Sequence, residues 1–402
     1  MCGRVSIASA RKNSSDGHVL LFKKGESVII SGLVRCQSAS ACVCCSSRIS
    51  FERGQWLSSI FDSALDQGRV ISMITLTVRH KKSTDLREML NAMYKAYENV
   101  QGTLAYKELR GKYGAKFVRV TEVTHGKNGY HPHFHIAVLH EQGAEWDSYR
   151  RELEDAWVNN ISKNGLEAPL ADKAVDIVQN ATNPQRAWYL TKASGLSSLE
   201  VSNGKHKMAK NGNLGIWQIH AKAVEGDEVS KRVWAEYENA IKGKRIFLTS
   251  RGLEDQYGIY MRSEAEVADD EFLDVPMSGD WVEIEQELPE SPIIYISGQE
   301  ETEFVASITS ETYDRVMRAG LTFELRQAVR GGYDVLQKWL YENYLPPAFS
   351  KSEIINARTW REVDLEQAKQ AFLKGDSEEY WEKMFRVNLA DQLPHIEKAL
   401  NR

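Results

Sequence analysis

Two alternating segments joined by a short turn constrain this chain more than anything else in it. The first is Lys116-Phe-Val-Arg-Val-Thr-Glu-Val-Thr124 and the second is Gly129-Tyr-His-Pro-His-Phe-His-Ile-Ala-Val-Leu139. Both are rich in β-branched or apolar residues, and alternate residues of a strand share a face. Between them lies His125-Gly-Lys-Asn-Gly129, whose Asn128-Gly129 pair is the strongest short hairpin signal. The expected unit is an antiparallel hairpin. His133 and His135 then point the same way, roughly 6.5 Å apart along the strand. Glu122 sits on the partner strand and can complete a three-ligand set with His133 and His135. Two imidazoles and one carboxylate leave coordination positions open, which suits catalysis with Mg²⁺ or Mn²⁺ when phosphate oxygens fill the gaps. The plainer alternative is two ordinary strand histidines and a solvated glutamate. His131, before Pro132, reads equally well as a neutral bystander or as a support for the ligand set.

A nucleophile is expected downstream. Asn183-Pro-Gln-Arg-Ala-Trp-Tyr-Leu-Thr-Lys-Ala-Ser-Gly195 has a helix N-cap at Asn183, proline at the first helical position and a terminating glycine. Tyr189 and Lys192 fall at i and i+3 on one helix face. A phenol is protonated at neutral pH, and a nearby ammonium favours its ionised, attacking form. Tyr-x-x-Lys alone carries little weight, because chance produces it often.

Three blocks occur in a fixed order: Ile71-Ser-Met-Ile-Thr-Leu-Thr-Val-Arg-His80, Tyr130-His-Pro-His-Phe-His-Ile136 and Trp188-Tyr-Leu-Thr-Lys192. Together they resemble the three motifs of the rolling-circle plasmid replication initiators within the HUH endonuclease superfamily. The resemblance covers about the first two-thirds of the chain and continues into Lys242-Gly-Lys-Arg-Ile-Phe-Leu-Thr-Ser-Arg-Gly252. It implies an α+β fold, an antiparallel sheet of about five strands with helices on one side. It also implies a metal bound by Glu122, His133 and His135. Tyr189 would attack the scissile phosphate, giving a 5′-phosphotyrosine and a free 3′-hydroxyl primer, with Lys192 positioning the phosphate. Some relatives carry a glutamate four residues before the tyrosine. This chain has Gln185 there, and an amide cannot act as a general base. Asp172 or Asp176 could substitute. The implied partners are single-stranded or hairpin origin DNA, a host helicase with the replication machinery, and a second copy of the chain.

Four of the five cysteines lie within Cys36-Gln-Ser-Ala-Ser-Ala-Cys-Val-Cys-Cys45, and the fifth is Cys2. Cys42 and Cys45 have the spacing of a zinc knuckle. Cys2 or His18 could supply the fourth ligand, and Cys44 could replace a neighbour. The resemblance favours structural Zn²⁺ on Cys2, Cys36, Cys42 and Cys45. The opening Met1-Cys-Gly-Arg4 also resembles that of abasic-site shield proteins, whose Cys2 is a nucleophile, but no other motif of that family is present. With no signal-peptide pattern and no apolar run long enough to span a membrane, the expected location is the cytoplasm.

The net charge of −5 hides an asymmetry. Residues 1–222 hold 30 Lys+Arg against 20 Asp+Glu, and residues 223–402 hold 21 against 36. The basic part carries all three blocks, as phosphate binding requires. The expected layout is a cysteine module at 1–50, a nickase and ligase domain at 51–262, an acidic linker at 263–300 and a helical domain at 301–402. Helices are expected over Trp56–Leu65, Leu86–Tyr97 and Lys231–Ile241, a strand over Arg245–Thr249, and helical spacing at Tyr333, Leu336 and Leu340. Three other readings compete. A transposase or relaxase would share the chemistry. A histidine-triad nucleotide hydrolase would use His133 as nucleophile without metal. A zinc-stabilised DNA-binding protein would have lost a ligand, yet each expected ligand is present.

Overall fold

The computed structural model describes Cys2, residues 18–25, 27–181, 213–269 and 302–350, and a few positions between 366 and 374. In chain order its main elements begin with β1 His18–Lys24, β2 Ser27–Ser31, α1 Val43–Asp66, β3 Val70–Thr77, α2 Leu86–Val100 and α3 Leu104–Lys112. They continue with β4 Lys116–Gly126, β5 Gly129–His140, α4 Trp146–Lys163, β6 Val175–Ala181 and β7 Leu214–Gly215. The remainder are α5 Ile216–Val224, α6 Glu228–Ile241, β8 Phe247–Thr249, β9 Glu303–Thr309, α7 Ser310–Ala319, α8 Thr322–Arg330 and α9 Tyr333–Glu342. They fall into two compact units, each with its own sheet.

The larger unit holds a six-stranded sheet in the order β6-β3-β5-β4-β7, with β8 also paired to β4. All its pairings are antiparallel. The expected α+β class, with its antiparallel sheet, is borne out. The β4–β5 hairpin closes with Gly126 opposite Gly129, leaving Lys127 and Asn128 as the turn. Gly129 has φ +90°, and a Cβ there would lie 3.2 Å from the Lys82 Cα. That backbone is one only glycine adopts readily, which is why the Asn-Gly signal reads correctly.

The sheet is covered on both faces, whereas the family resemblance implies helices on one side. Alternation explains the difference. Val118 and Val120 of β4, with Ala137 and Leu139 of β5, form one apolar face, and Trp56, Leu57, Ile60 and Phe61 of α1 pack on it. An apolar strip of this kind needs cover, and α1 supplies it. The opposite face carries Phe117 and Phe134. Phe134 is fully buried, with ring centroids 5.2 Å from Tyr94, 5.6 Å from Tyr97 and 6.1 Å from Trp157. Tyr106 stacks on Phe117 at 4.2 Å.

Side-chain hydrogen bonds then lock helices to strand ends. The Trp157 indole donates to the carbonyl of Thr77 (2.7 Å), and the Tyr130 hydroxyl donates to the carbonyl of Val233 in α6 (2.6 Å). Asp85 caps α2 by accepting from the Glu88 amide at 2.9 Å.

The smaller unit has a three-stranded antiparallel sheet, β2-β1-β9. Its core joins Val19, Leu21, Ile30, Val305 and Ile308 to Val316, Val329, Leu336 and Leu340 of the following helices. The helical spacing of Leu336 and Leu340 is thus a buried stripe of α9. The stretch after residue 301, expected to be helical, opens instead with strand β9. Its Glu303-Phe-Val-Ala-Ser-Ile-Thr309 alternates too weakly to stand out in sequence, and long-range pairing with β1 makes it a strand. The expected helix after Asn183 lies outside the described residues.

Phe134 is the shared anchor of two helices on its face, α2 through Tyr94 and Tyr97 and α4 through Trp157. Phe134→Ala is expected to cost the larger unit about 3–5 kcal/mol, read as a lower urea midpoint for its unfolding. An unchanged midpoint would show that the ring cluster does not hold the sheet.

Candidate active site

The register of three strands builds the site. Glu122 of β4 lies directly opposite His133 of β5. On the other side of β5, Thr75 of β3 lies opposite His135 and Thr77 opposite His133. Opposed residues share a face. Glu122, His133, His135, Thr75 and Thr77 therefore stand together, which links the Thr-Leu-Thr block to the histidine block. The same face continues into Val120 and Ala137, so the polar group begins where the apolar strip under α1 ends.

The histidine rings lie side by side, 6.2 Å between centroids and 26° from parallel. That matches the spacing two residue rises dictate. His135 is held at both nitrogens. Its Nε2 meets the Glu122 carboxylate at 2.8 Å and its Nδ1 meets the Thr75 hydroxyl at 3.3 Å. The carboxylate reaches diagonally past His133 to do this, a span within reach of a glutamate side chain. His135 is buried at 4 % exposure, while the Glu122 side chain keeps 34 %, so the group has a solvent side.

Electrostatics leave this group ready to hold a cation. Burial pushes Glu122 up, but the hydrogen bond and charge of His135, with the charge of His133, win, and its carboxyl sits below the usual range. It is ionised at neutral pH. Burial holds His133 down to about 4, with Glu122 opposing the shift and His135 and His80 reinforcing it. A neutral imidazole keeps its lone pair. The His133 Nδ1 is buried with no hydrogen-bond partner. An orphaned buried nitrogen beside an ionised carboxylate and a second imidazole fits a bound metal ion better than it fits a plain core.

A second histidine pair adjoins the first, and sequence reasoning passed over half of it. The Nε2 of His80 lies 3.1 Å from the Nε2 of His131, with ring centroids 3.8 Å apart. Burial, then the neighbouring His80, His133 and His125, hold His131 down to about 4. The signal was available: the antiparallel register that sets Thr77 against His133 carries His80, three residues on, towards His131.

The cysteines also converge. The sulfurs of Cys2, Cys36, Cys42 and Cys45 all lie within 4.8 Å of one another. Among the described residues this is the one group of three or more metal-ligating side chains so tightly gathered. Cys44 is exposed, and His18 faces the Ser307 hydroxyl at 2.9 Å. No cysteine is in a disulfide. Hydrogen bonding with Cys44 and Cys45, and then burial, push the Cys42 thiol up, so crowded thiols resist ionising unless a cation joins them. Tyr189, Lys192 and Gln185 lie outside the described residues, as does the Asp172 side chain; Asp176 is an exposed residue of β6.

Residues 31–159 match the family model described as Replication protein. That span takes in Cys36, Cys42, Cys45, Glu122, His133 and His135 but stops short of Tyr189. A curated relative, Protein rep of Streptomyces lividans, is 24% identical over 301 residues, covering 58% of this chain and 66% of its own length. No solved structure matches. Both comparisons bear out a resemblance to replication proteins.

Six histidines of the larger unit, His80, His125, His131, His133, His140 and His220, are held below 6.5, each chiefly by burial. Between their folded values and 6.5 the unfolded chain binds more protons, so stability falls as pH drops through that window. The urea midpoint of this unit is expected to be lower at about pH 5 than at about pH 7.5. A flat or rising midpoint would contradict the burial of these rings.

Proposed function

We propose that this relative of the plasmid replication proteins is a replication initiator that nicks one DNA strand at an origin and later rejoins strands. The observation that carries the reading is the convergence of Glu122, His133 and His135 with Thr75 and Thr77 on one face of the sheet. The family comparison supports the replication role. Glu122, His133 and His135 would hold Mg²⁺ or Mn²⁺, which supplies positive charge to orient and polarise the scissile phosphate. Thr75 fixes the His135 ring from behind, as outer-shell partners of metal-ligating histidines do.

Tyr189 is the proposed nucleophile. Its hydroxyl oxygen bonds to phosphorus and the bond from phosphorus to the 3′-oxygen breaks. The phenol proton leaves to solvent or a base, and the departing 3′-oxygen takes up a proton. The products are a 5′-phosphotyrosine and a 3′-hydroxyl able to prime a polymerase. The Lys192 ammonium lowers the cost of ionising the phenol and steadies the phosphate. Rejoining runs the step backwards, with a 3′-hydroxyl attacking the phosphotyrosine. Gln185 cannot act as the base some relatives place there, so termination in this chain uses another group. A host helicase, the replication machinery and a second copy of the chain are the proposed partners.

The cysteine quartet would hold one structural Zn²⁺, which four thiolates saturate as a closed tetrahedral site. The purified protein is expected to carry about one zinc per chain. Cys45→Ser should lose it and lower the melting temperature. Full zinc content in that variant would remove Cys45 from the ligand set.

The reaction is tested with a labelled single-stranded oligonucleotide from a candidate origin and Mn²⁺. Wild type should cleave it and form a covalent protein–DNA band. Tyr189→Phe and Glu122→Ala should each lose cleavage by at least about 100-fold. An adduct that persists in Tyr189→Phe, or cleavage that survives EDTA, would remove the metal-and-tyrosine mechanism.

A further inference from the structure

A cavity of about 720 Å³ lies at the far end of β4 from the histidines. Along the strand, Lys116 is six residues from Glu122, about 20 Å. Its lining includes Arg69, Arg110, Lys116, Arg119 and Arg251, and no aspartate or glutamate. Five cations around one cavity with no lining carboxylate is an unbalanced arrangement, because like charges repel across it.

Two of these cations are deeply placed. Arg119 is 3 % exposed and the Arg69 side chain 12 %. The Nε atoms of both are buried with no hydrogen-bond partner. What holds them is chiefly backbone oxygen. Arg69 Nη2 donates to the Gly114 carbonyl at 2.6 Å, Arg119 Nη2 to the Arg245 carbonyl at 2.6 Å and Lys116 Nζ to the Arg251 carbonyl at 3.0 Å. Glu141 stands 3.9 Å from Arg69 Nη1 and is mostly exposed. Arg119 also lies over the rings of Tyr94 and Phe134, at 4.5 and 4.7 Å. The rings explain how a guanidinium tolerates burial there. They leave its charge without an anion. Arg110 and Arg251 are exposed, so the charge reaches the surface.

The cavity also gives a place to Lys242–Gly252, the basic segment noted in the sequence. Its β8 pairs with β4, and Leu248 to Arg251 line the cavity wall.

We propose that this cavity binds backbone phosphates of the DNA beyond the cleaved position, as a second, non-catalytic phosphate contact. The assignment rests on the reading of the chain as a DNA nickase. Guanidinium forks match phosphate oxygens two at a time. Phe117 and Arg119 belong to the sheet face opposite Glu122, so the contact is one that DNA makes after passing the end of β4, about 20 Å along the strand from the histidines.

The test is fluorescence anisotropy with the full chain and a labelled duplex of about 30 base pairs of arbitrary sequence, titrated between about 50 and 200 mM salt. No divalent metal is added, so the readout is independent of nicking and of Tyr189. Arg110→Ala/Arg251→Ala should weaken binding and reduce the slope of log affinity against log salt by about 1.8, or 0.9 per lost phosphate contact. The control, Lys163→Ala/Lys231→Ala, removes two exposed charges that do not line the cavity and should leave the slope unchanged. An unchanged slope in the arginine variant overturns the proposal, and so does an equal drop in the control. If adenosine triphosphate binds wild type but not the arginine variant while the duplex slope stays the same, the cavity takes a free nucleotide and the DNA assignment is wrong. Loss of nicking in wild type with the expected slope change would overturn the nickase reading alone.

Discussion

The residue-by-residue pairing of β4 with β5 is the constraint on which the rest depends. Eleven consecutive pairs run from Lys116–Leu139 to Gly126–Gly129 without a bulge. A slip of one residue would send Glu122 to the opposite face from His133 and His135 and expose Val118 and Val120. Two features prevent it. The turn is only two residues long and is closed by a glycine at positive φ. Both faces are also buried, one under α1 and the other under the rings of α2, α3 and α4. The chemistry of the polar group is therefore fixed by the packing of the apolar groups around it.

The same sheet separates two kinds of charge. At one end of β4 the ionised Glu122 faces the neutral imidazole of His133, an arrangement that accepts a cation. At the other end, burial lowers Arg119 although it still carries its proton, and four further cations surround the same cavity, an arrangement that accepts an anion. A nucleic acid brings an anionic backbone, and a bound metal brings the cation that lets one phosphate approach a carboxylate. The two places thus suit a cation and a phosphate respectively.

Much of this was legible in the residues. The Asn-Gly turn and the alternation on either side fixed the hairpin, and parity alone placed Glu122, His133 and His135 on one face. Helices over Leu86–Tyr97 and Lys231–Ile241 followed from their periodicity, and the structure extends each by a few residues. The gathering of Cys2 with Cys36, Cys42 and Cys45 needed the family resemblance, because a residue at the second position has no spacing to read. Other features depend on contacts distant in sequence. The pairing of β1 with β9 joins residues nearly three hundred positions apart, and no local pattern marks it. The His80–His131 contact follows only once the β3–β5 register is known. The basic cavity draws on Arg69, the start of β4 and the end of β8, segments that sequence alone does not bring together.

The account stands on which side chain carries the DNA. The measurement that decides it is digestion of the covalent protein–DNA adduct and mass mapping of the peptide that bears the nucleotide. The account predicts the Trp188-Tyr-Leu-Thr-Lys192 peptide, with the phosphate on Tyr189. Nucleotide on the peptide containing His133, or on Cys2, would contradict it and assign the chain a different covalent chemistry.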